Sequence, residues 1–117
     1  MAWTITIPDF IPARVNDLYS GHWTKRRALK KNDAEIIGGY ALKAGVPKAT
    51  GKRRVSLTIT LTPKMRGHDP DAFFKSVLDS LVHCCVLAED NSRACELGPV
   101  TFERGKRKQT VITVEDI

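Results

Sequence analysis

The sequence has no apolar run approaching the roughly 20 residues that a membrane-spanning helix needs. Its start, Ala2-Trp-Thr-Ile-Thr-Ile7, alternates apolar and polar residues instead of offering a continuous apolar stretch, so no secretory signal is expected. Cysteine is scarce and odd in number, with Cys84, Cys85 and Cys95 as the whole set. That excludes a disulfide framework and points to a reducing compartment; a cytoplasmic protein is expected, whether nucleoid-associated or phage-encoded. The spacing of His83, Cys84, Cys85 and Cys95 matches no usual structural zinc site, and adjacent cysteines at a helix end are more often core. Internal repeats and low-complexity segments are missing. Acidic residues are in short supply, 13 against 19 Lys+Arg, which leaves a net charge of +6 and a pI near 9.5. That balance favours a polyanionic partner, because Lys and Arg gain by displacing counterions from phosphates.

What is present fits one soluble domain over residues 1–117, with 42% hydrophobic residues to build a single core. A core this small gains from dimerisation. Trp3, Ile5 and Ile7 alternate with Thr4 and Thr6 and predict a half-buried strand stopped by Pro8. Residues 8–22, with Asn16, Asp17 and Gly21, read as a loop. From Trp23 to Ala44 the pattern is helical, with Ala28, Ile36, Ile37, Tyr40, Ala41 and Ala44 on one face and a weak point at Gly38-Gly39 where a kink is expected. Val55, Leu57, Ile59 and Leu61 alternate with Ser56, Thr58, Thr60 and Thr62 in the clearest strand. A second helix is expected to begin at Asp69-Pro70-Asp71, as Asp suits an N-cap and Pro the first helical position; its apolar stripe is Phe74, Val77, Leu78, Leu81 and Val82. A third strand begins at Val100 and Phe102, Arg104-Gly-Lys-Arg107 reads as a hairpin turn, and Val111–Val114 returns antiparallel. The predicted class is α+β: a single domain in the order β-α-β-α-β-β, a mixed sheet with packed helices.

Chemistry-bearing residues gather around the second helix. Asp69 and Asp71 stand at a loop–helix junction, where two carboxylates converging on one point repel unless a cation lies between them. Magnesium is the usual cation for such oxygen sites. A helix cap with a dipole-matched neighbour explains the same pair without chemistry. Lys75 follows Asp71 by four residues and precedes Asp79 by four, so it is either one half of exposed ion pairs or an ammonium beside a metal and a phosphate. Glu89 and Asp90 are explained by a turn unless the chain folds back toward Asp69. His68 and His22 are read as loop residues, and Trp23 as an anchor for the first helix.

The stretch Asp69-Pro-Asp71-Ala-Phe-Phe-Lys75-Ser-Val-Leu-Asp79-Ser-Leu81, followed after a short gap by Glu89-Asp90, resembles the RusA family of Holliday-junction resolvases. That family carries an Asp-x-Asp-x-x-x-Lys segment, a further Asp-x-Leu and then an acidic pair. Pro12-Ala-Arg-Val-Asn16 resembles its Pro-x-x-x-Asn opening, and the C-terminal strands resemble its ending, so the likeness covers nearly the whole chain. It implies a homodimeric, Mg²⁺-dependent endodeoxyribonuclease, with Mn²⁺ as a substitute, that nicks four-way DNA junctions in recombination and repair. By the same resemblance Asp69, Asp71 and Asp90 are metal-binding catalytic carboxylates and Lys75 is the catalytic lysine. Asp79 matches a family aspartate to which the resemblance assigns no role. Two positions depart from the pattern: Ala72 stands where the family has Asn, and Glu89 where Asp is common. The missing amide removes a hydrogen bond that could orient a ligand.

The basic segments acquire a role in that light. Lys25, Arg26, Arg27, Lys30 and Lys31 cluster early in the first helix, Lys52–Arg54 precede a strand, Lys64 and Arg66 lead into Asp69, and Arg104, Lys106, Arg107 and Lys108 form the expected hairpin tip. Any one run suits a solvated face, while four runs around an acidic centre suit a phosphate-lined surface. The alternatives are a non-catalytic nucleic-acid-binding module on the same fold, which Ala72 favours, and a structural domain whose acidic motif is only a helix start.

Overall fold

Strict alternation of β-branched and threonine residues favours strands with one face in the core, and the two helical segments supply the cover. The computed structural model describes residues 1–14, 23–65, 67 and 72–117. Among these the elements are β1 (Ala2–Pro8), α1 (Trp23–Lys43), β2 (Arg53–Leu61), α2 (Phe74–His83), β3 (Cys95–Arg104) and β4 (Gln109–Asp116). The class is α+β, with a mixed four-stranded sheet and two helices among the described residues.

The sheet order is β1-β4-β2-β3; β4 runs antiparallel to both β1 and β2, while β2 and β3 are parallel. This corrects the expected hairpin at Arg104–Arg107. β3 and β4 do run in opposite directions, but β2 lies between them. Residues 105–108 therefore cross the end of β2, where the Gly105 N–H donates to Leu61 O at 3.0 Å. A side chain at Gly105 would press on Thr60 Cγ2 at 3.0 Å, which keeps the crossing tight. The physical reason is the apolar alternation of β2, whose core-facing residues gain most at the sheet centre.

Ile5, Ile7, Val55, Leu57, Ile59, Leu61, Ile112 and Val114 share the buried face. Phe74, Val77, Leu78 and Leu81 of α2 and Ile37 and Ala41 of α1 belong to the same core. The opposite face carries Thr4, Thr6, Ser56, Thr58, Thr60 and Thr113.

Several boundaries differ from expectation. β3 starts at Cys95, ahead of Val100, because a bulge at Gly98-Pro99 interrupts the alternation. A Cβ at Gly98 would meet Ser56 Oγ at 2.1 Å, so only glycine fits this pairing. The α1 helix runs without a break through Gly38-Gly39, and Gly38 lies against the Cys84 side chain of α2's end. Ala28 and Ala44 are exposed; the inward face of α1 is Leu29, Asp33, Ile36, Ile37, Tyr40 and Ala41, with a carboxylate in its midst. The α2 helix begins at Phe74 with Phe73 at the N-cap and no side-chain cap; the expected helix start at Asp69-Pro70-Asp71 lies outside the described residues. No helix among the described residues is long and apolar enough to cross a membrane.

Candidate active site

The start of α2 is fixed by packing. Phe73, 1% exposed, meets Phe102 of β3 with ring centroids 6.1 Å apart, and this seats the first turn beside the end of the sheet where residues 105–108 cross. On that turn Lys75 Nζ lies 3.3 Å from Asp79 Oδ1, the i,i+4 pair expected from spacing. It also lies 3.8 Å from Asp90 Oδ2. The segment after α2 brings Asp90 to the face that carries Lys75.

The local sequence explains this placement. Val86 and Leu87 are buried, and both of their N–H groups donate to Leu81 O, at 2.9 and 3.2 Å. Cys85 takes up the reversal with φ 67°. Asn91 then organises the ascent to β3: its Oδ1 accepts the N–H groups of Arg93 and Ala94 at 3.1 and 3.2 Å, and its amide donates to Glu89. Asp90 is held between these two anchors with its carboxylate half exposed. Asn91 was not among the expected site residues, although an Asx-turn residue after Glu89-Asp90 is a readable signal.

A second polar centre supports α2 from behind. Asp33 of α1 is 3% exposed, and its Oδ2 accepts the Ala13 N–H at 2.7 Å and the Ser76 hydroxyl. Burial raises this carboxyl above its ordinary pKa, while the Ser76 and Ala13 hydrogen bonds pull the other way. Ser80 Oγ donates to Ser76 O at 2.8 Å, so the inner face of α2 is tied by hydroxyls. Asp33 also lines a cavity of about 670 Å³ between residues 9–14, α1 and the end of β2. The sequence signal for Asp33 was its place in the apolar stripe, four residues after Leu29 and four before Ile37.

The expected basic surface divides. Lys25, Arg27, Lys30 and Lys31 are exposed on α1, and Arg26 is half-buried. Lys64, Lys106, Arg107 and Lys108 are exposed together at the β2 end of the sheet. Arg104 reaches back to Thr62 O and Met65 O at 3.0 and 2.6 Å, bracing the loop that leads toward α2. In the Lys52–Arg54 run Lys52 is exposed, while Arg53 and Arg54 are engaged by the fold itself. The Arg53 guanidinium, 1% exposed, donates to Pro47 O at 2.7 Å, Val86 O at 2.9 Å and Asp116 Oδ1 at 3.0 Å, and stacks 4.7 Å from the Trp3 ring centroid. Arg54 pairs with Glu115 and Glu96 at 2.8 and 3.2 Å.

No model of a known protein family matches the chain, and no curated protein matches it.

Asp69, Asp71, Arg66, His68, Asn16 and His22 lie outside the described residues. Among the described residues no three His, Cys, Asp or Glu side chains are grouped closely enough to hold a metal ion. The carboxylates that are described near Lys75, those of Asp79, Glu89 and Asp90, are oxygen donors open to solvent, the donor chemistry a hard divalent cation takes. Cys84, Cys85 and Cys95 are free thiols, and burial raises the Cys84 and Cys95 thiols above their ordinary range.

Proposed function

We propose that the chain is a Mg²⁺-dependent, structure-selective DNA endonuclease that nicks four-way junctions by phosphodiester hydrolysis. The observation that carries this reading is the approach of Asp90 to Lys75, 3.8 Å apart although they lie on separate segments. The resemblance requires that juxtaposition, and a simple turn after α2 does not. In this reading Asp69, Asp71 and Asp90 hold the magnesium. When bound, it supplies a water of lowered pKa and positive charge for the phosphoryl oxygens.

Lys75 acts on the phosphate itself. Its ammonium is held by Asp79 from its own helix and by Asp90 from the returning loop, so its direction is set before DNA arrives. A preorganised charge aimed where negative charge grows is worth more than one that must be recruited. The exposed cations Lys25, Arg27, Lys30, Lys64, Lys106 and Arg107 take the backbone of the arms, with Arg26, Arg66 and Arg104 as further DNA contacts. A homodimer would match two active sites to the two-fold symmetry of the junction. Light scattering at micromolar concentration should then give about twice the chain mass of 13.0 kDa. Three free cysteines suit a reducing, cytoplasmic setting.

One observation favours the second reading, a non-catalytic DNA-binding module: Lys75 already has an ordinary i,i+4 partner in Asp79. Incubating a four-way junction with the protein in magnesium and in EDTA separates the two. Cleavage confined to magnesium supports the enzyme, and tight binding with intact strands supports the module.

A further inference from the structure

Two recesses along α2 share the side chains of Asp79 and His83. The first, about 520 Å³, is the groove between α1 and α2, where Arg27, Lys30 and Lys31 face Asp79 and His83. The second, about 560 Å³, continues from Asp79 and His83 to Glu89, Asp90 and Asn91. Asp79 and His83 line both: the first recess is a basic trough, and the second, whose charged lining is Asp79, Glu89 and Asp90, is acidic.

The charge in the trough is unbalanced. Asp79 is already paired with Lys75 at 3.3 Å. Among the described residues Arg27, Lys30 and Lys31 form no ion pair, and Glu35 is the one further carboxylate in the groove wall. Like charges spaced three and four residues apart on a helix repel one another. A bound polyanion turns that repulsion into attraction. The exposed His83 adds a ring N–H donor on the opposite wall.

We propose that this trough seats the DNA backbone, with one phosphate held among Lys30, Lys31 and His83 at a fixed distance from the phosphate at Lys75. On α2, His83 lies eight residues beyond Lys75, about 12 Å along the axis at about 1.5 Å per residue. A B-form strand advances roughly 3.4 Å of axis per phosphate while winding around that axis, so phosphates about 12 Å apart through space are roughly two nucleotides apart. Lys31 and His83 become specific contacts, and α2 serves as the ruler between them. The identity of the first phosphate as the scissile one rests on the nuclease reading; the seating of the second does not.

The test measures binding alone. In EDTA, where a magnesium-dependent enzyme is silent, the affinity of a four-way junction is measured by fluorescence anisotropy, with single neutral methylphosphonate linkages placed in turn along one arm. Wild type should lose about tenfold in affinity at one particular linkage. The Lys30→Ala/Lys31→Ala double variant should bind at least tenfold more weakly, show a salt slope smaller by about two, and no longer respond to that linkage. His83→Ala should weaken the response at the same linkage. Alanine on an exposed helix face does not threaten folding. Unchanged affinity and salt slope in the double variant, or a methylphosphonate profile identical to wild type, would overturn the proposal. A chain that binds this way yet never nicks in magnesium refutes the enzyme and leaves the trough standing; one that nicks but fails here refutes the trough alone.

Discussion

Asp33 of α1 accepts the hydroxyl hydrogen bond of Ser76 on α2, the residue directly after Lys75. The same carboxylate oxygen accepts the Ala13 N–H at 2.7 Å, so one buried acid ties the N-terminal segment, α1 and the candidate catalytic helix together.

This acid should leave a pH signature in stability. Burial raises its folded-state pKa above the unfolded value of 3.8. Between those two values the native state binds more protons than the unfolded chain, so stability falls as pH rises through that window. Asp33→Asn keeps an acceptor for both donors and abolishes the titration. Urea midpoints at pH 4, 5.5 and 7 should move in the variant's favour relative to wild type as pH rises. A difference that stays constant across the range would show that Asp33 does not titrate as described. Ser76→Ala removes one of the bonds that hold the carboxylate, and should cost about 1–3 kcal/mol.

Arg53 tests whether the Lys52–Arg54 run is architecture or DNA surface. Its fork serves two backbone carbonyls and Asp116 at once, a geometry that a lysine ammonium cannot reproduce. Arg53→Lys should destabilise the fold by about 2–3 kcal/mol in denaturant titration. Junction affinity, measured well below the unfolding midpoint, should be unchanged. A variant of full stability that binds DNA more weakly would return Arg53 to the interface.

The parts of the fold legible in the sequence were those written in a short period. β1 and β2 alternate without interruption, and four of the five expected stripe residues of α2 are buried. The sheet order was not legible, because which strand takes the centre depends on pairing between distant segments. The start of β3 was hidden by the Gly98-Pro99 bulge, which breaks the alternation that marks a strand. Lys75 and Asp79 were readable as a helical pair, while the place of Asp90 follows from the burial of Val86 and Leu87. Asp33 was readable in principle, as a carboxylate at core spacing, but polar residues on a helix usually face water.

Lys75 distinguishes chemistry from surface decoration. Its side chain is 37% exposed, and exposed pairs of this kind contribute about 0.3–0.5 kcal/mol each. Lys75→Ala should therefore leave the unfolding midpoint nearly unchanged. Cleavage should slow by about a hundredfold or more, since a few kcal/mol of transition-state stabilisation is lost at about 1.36 kcal/mol per tenfold. Lys75→Arg should restore only part of the rate. A Lys75→Ala rate within about threefold of wild type at saturating magnesium, where the intact site would lose about 2–3 kcal/mol, would place the residue outside the chemistry.

The most direct measurement is cleavage of a four-way junction beside a linear duplex of the same sequence, in magnesium and in EDTA, by wild type and by Asp90→Asn. The site described here predicts paired nicks in the junction with magnesium, none in EDTA and little cutting of the duplex. Asp90→Asn should bind the junction at least as tightly as wild type and leave it intact. Intact junctions with wild type in magnesium, or nicking by Asp90→Asn at the wild-type rate, would contradict a nuclease centred on Lys75 and Asp90.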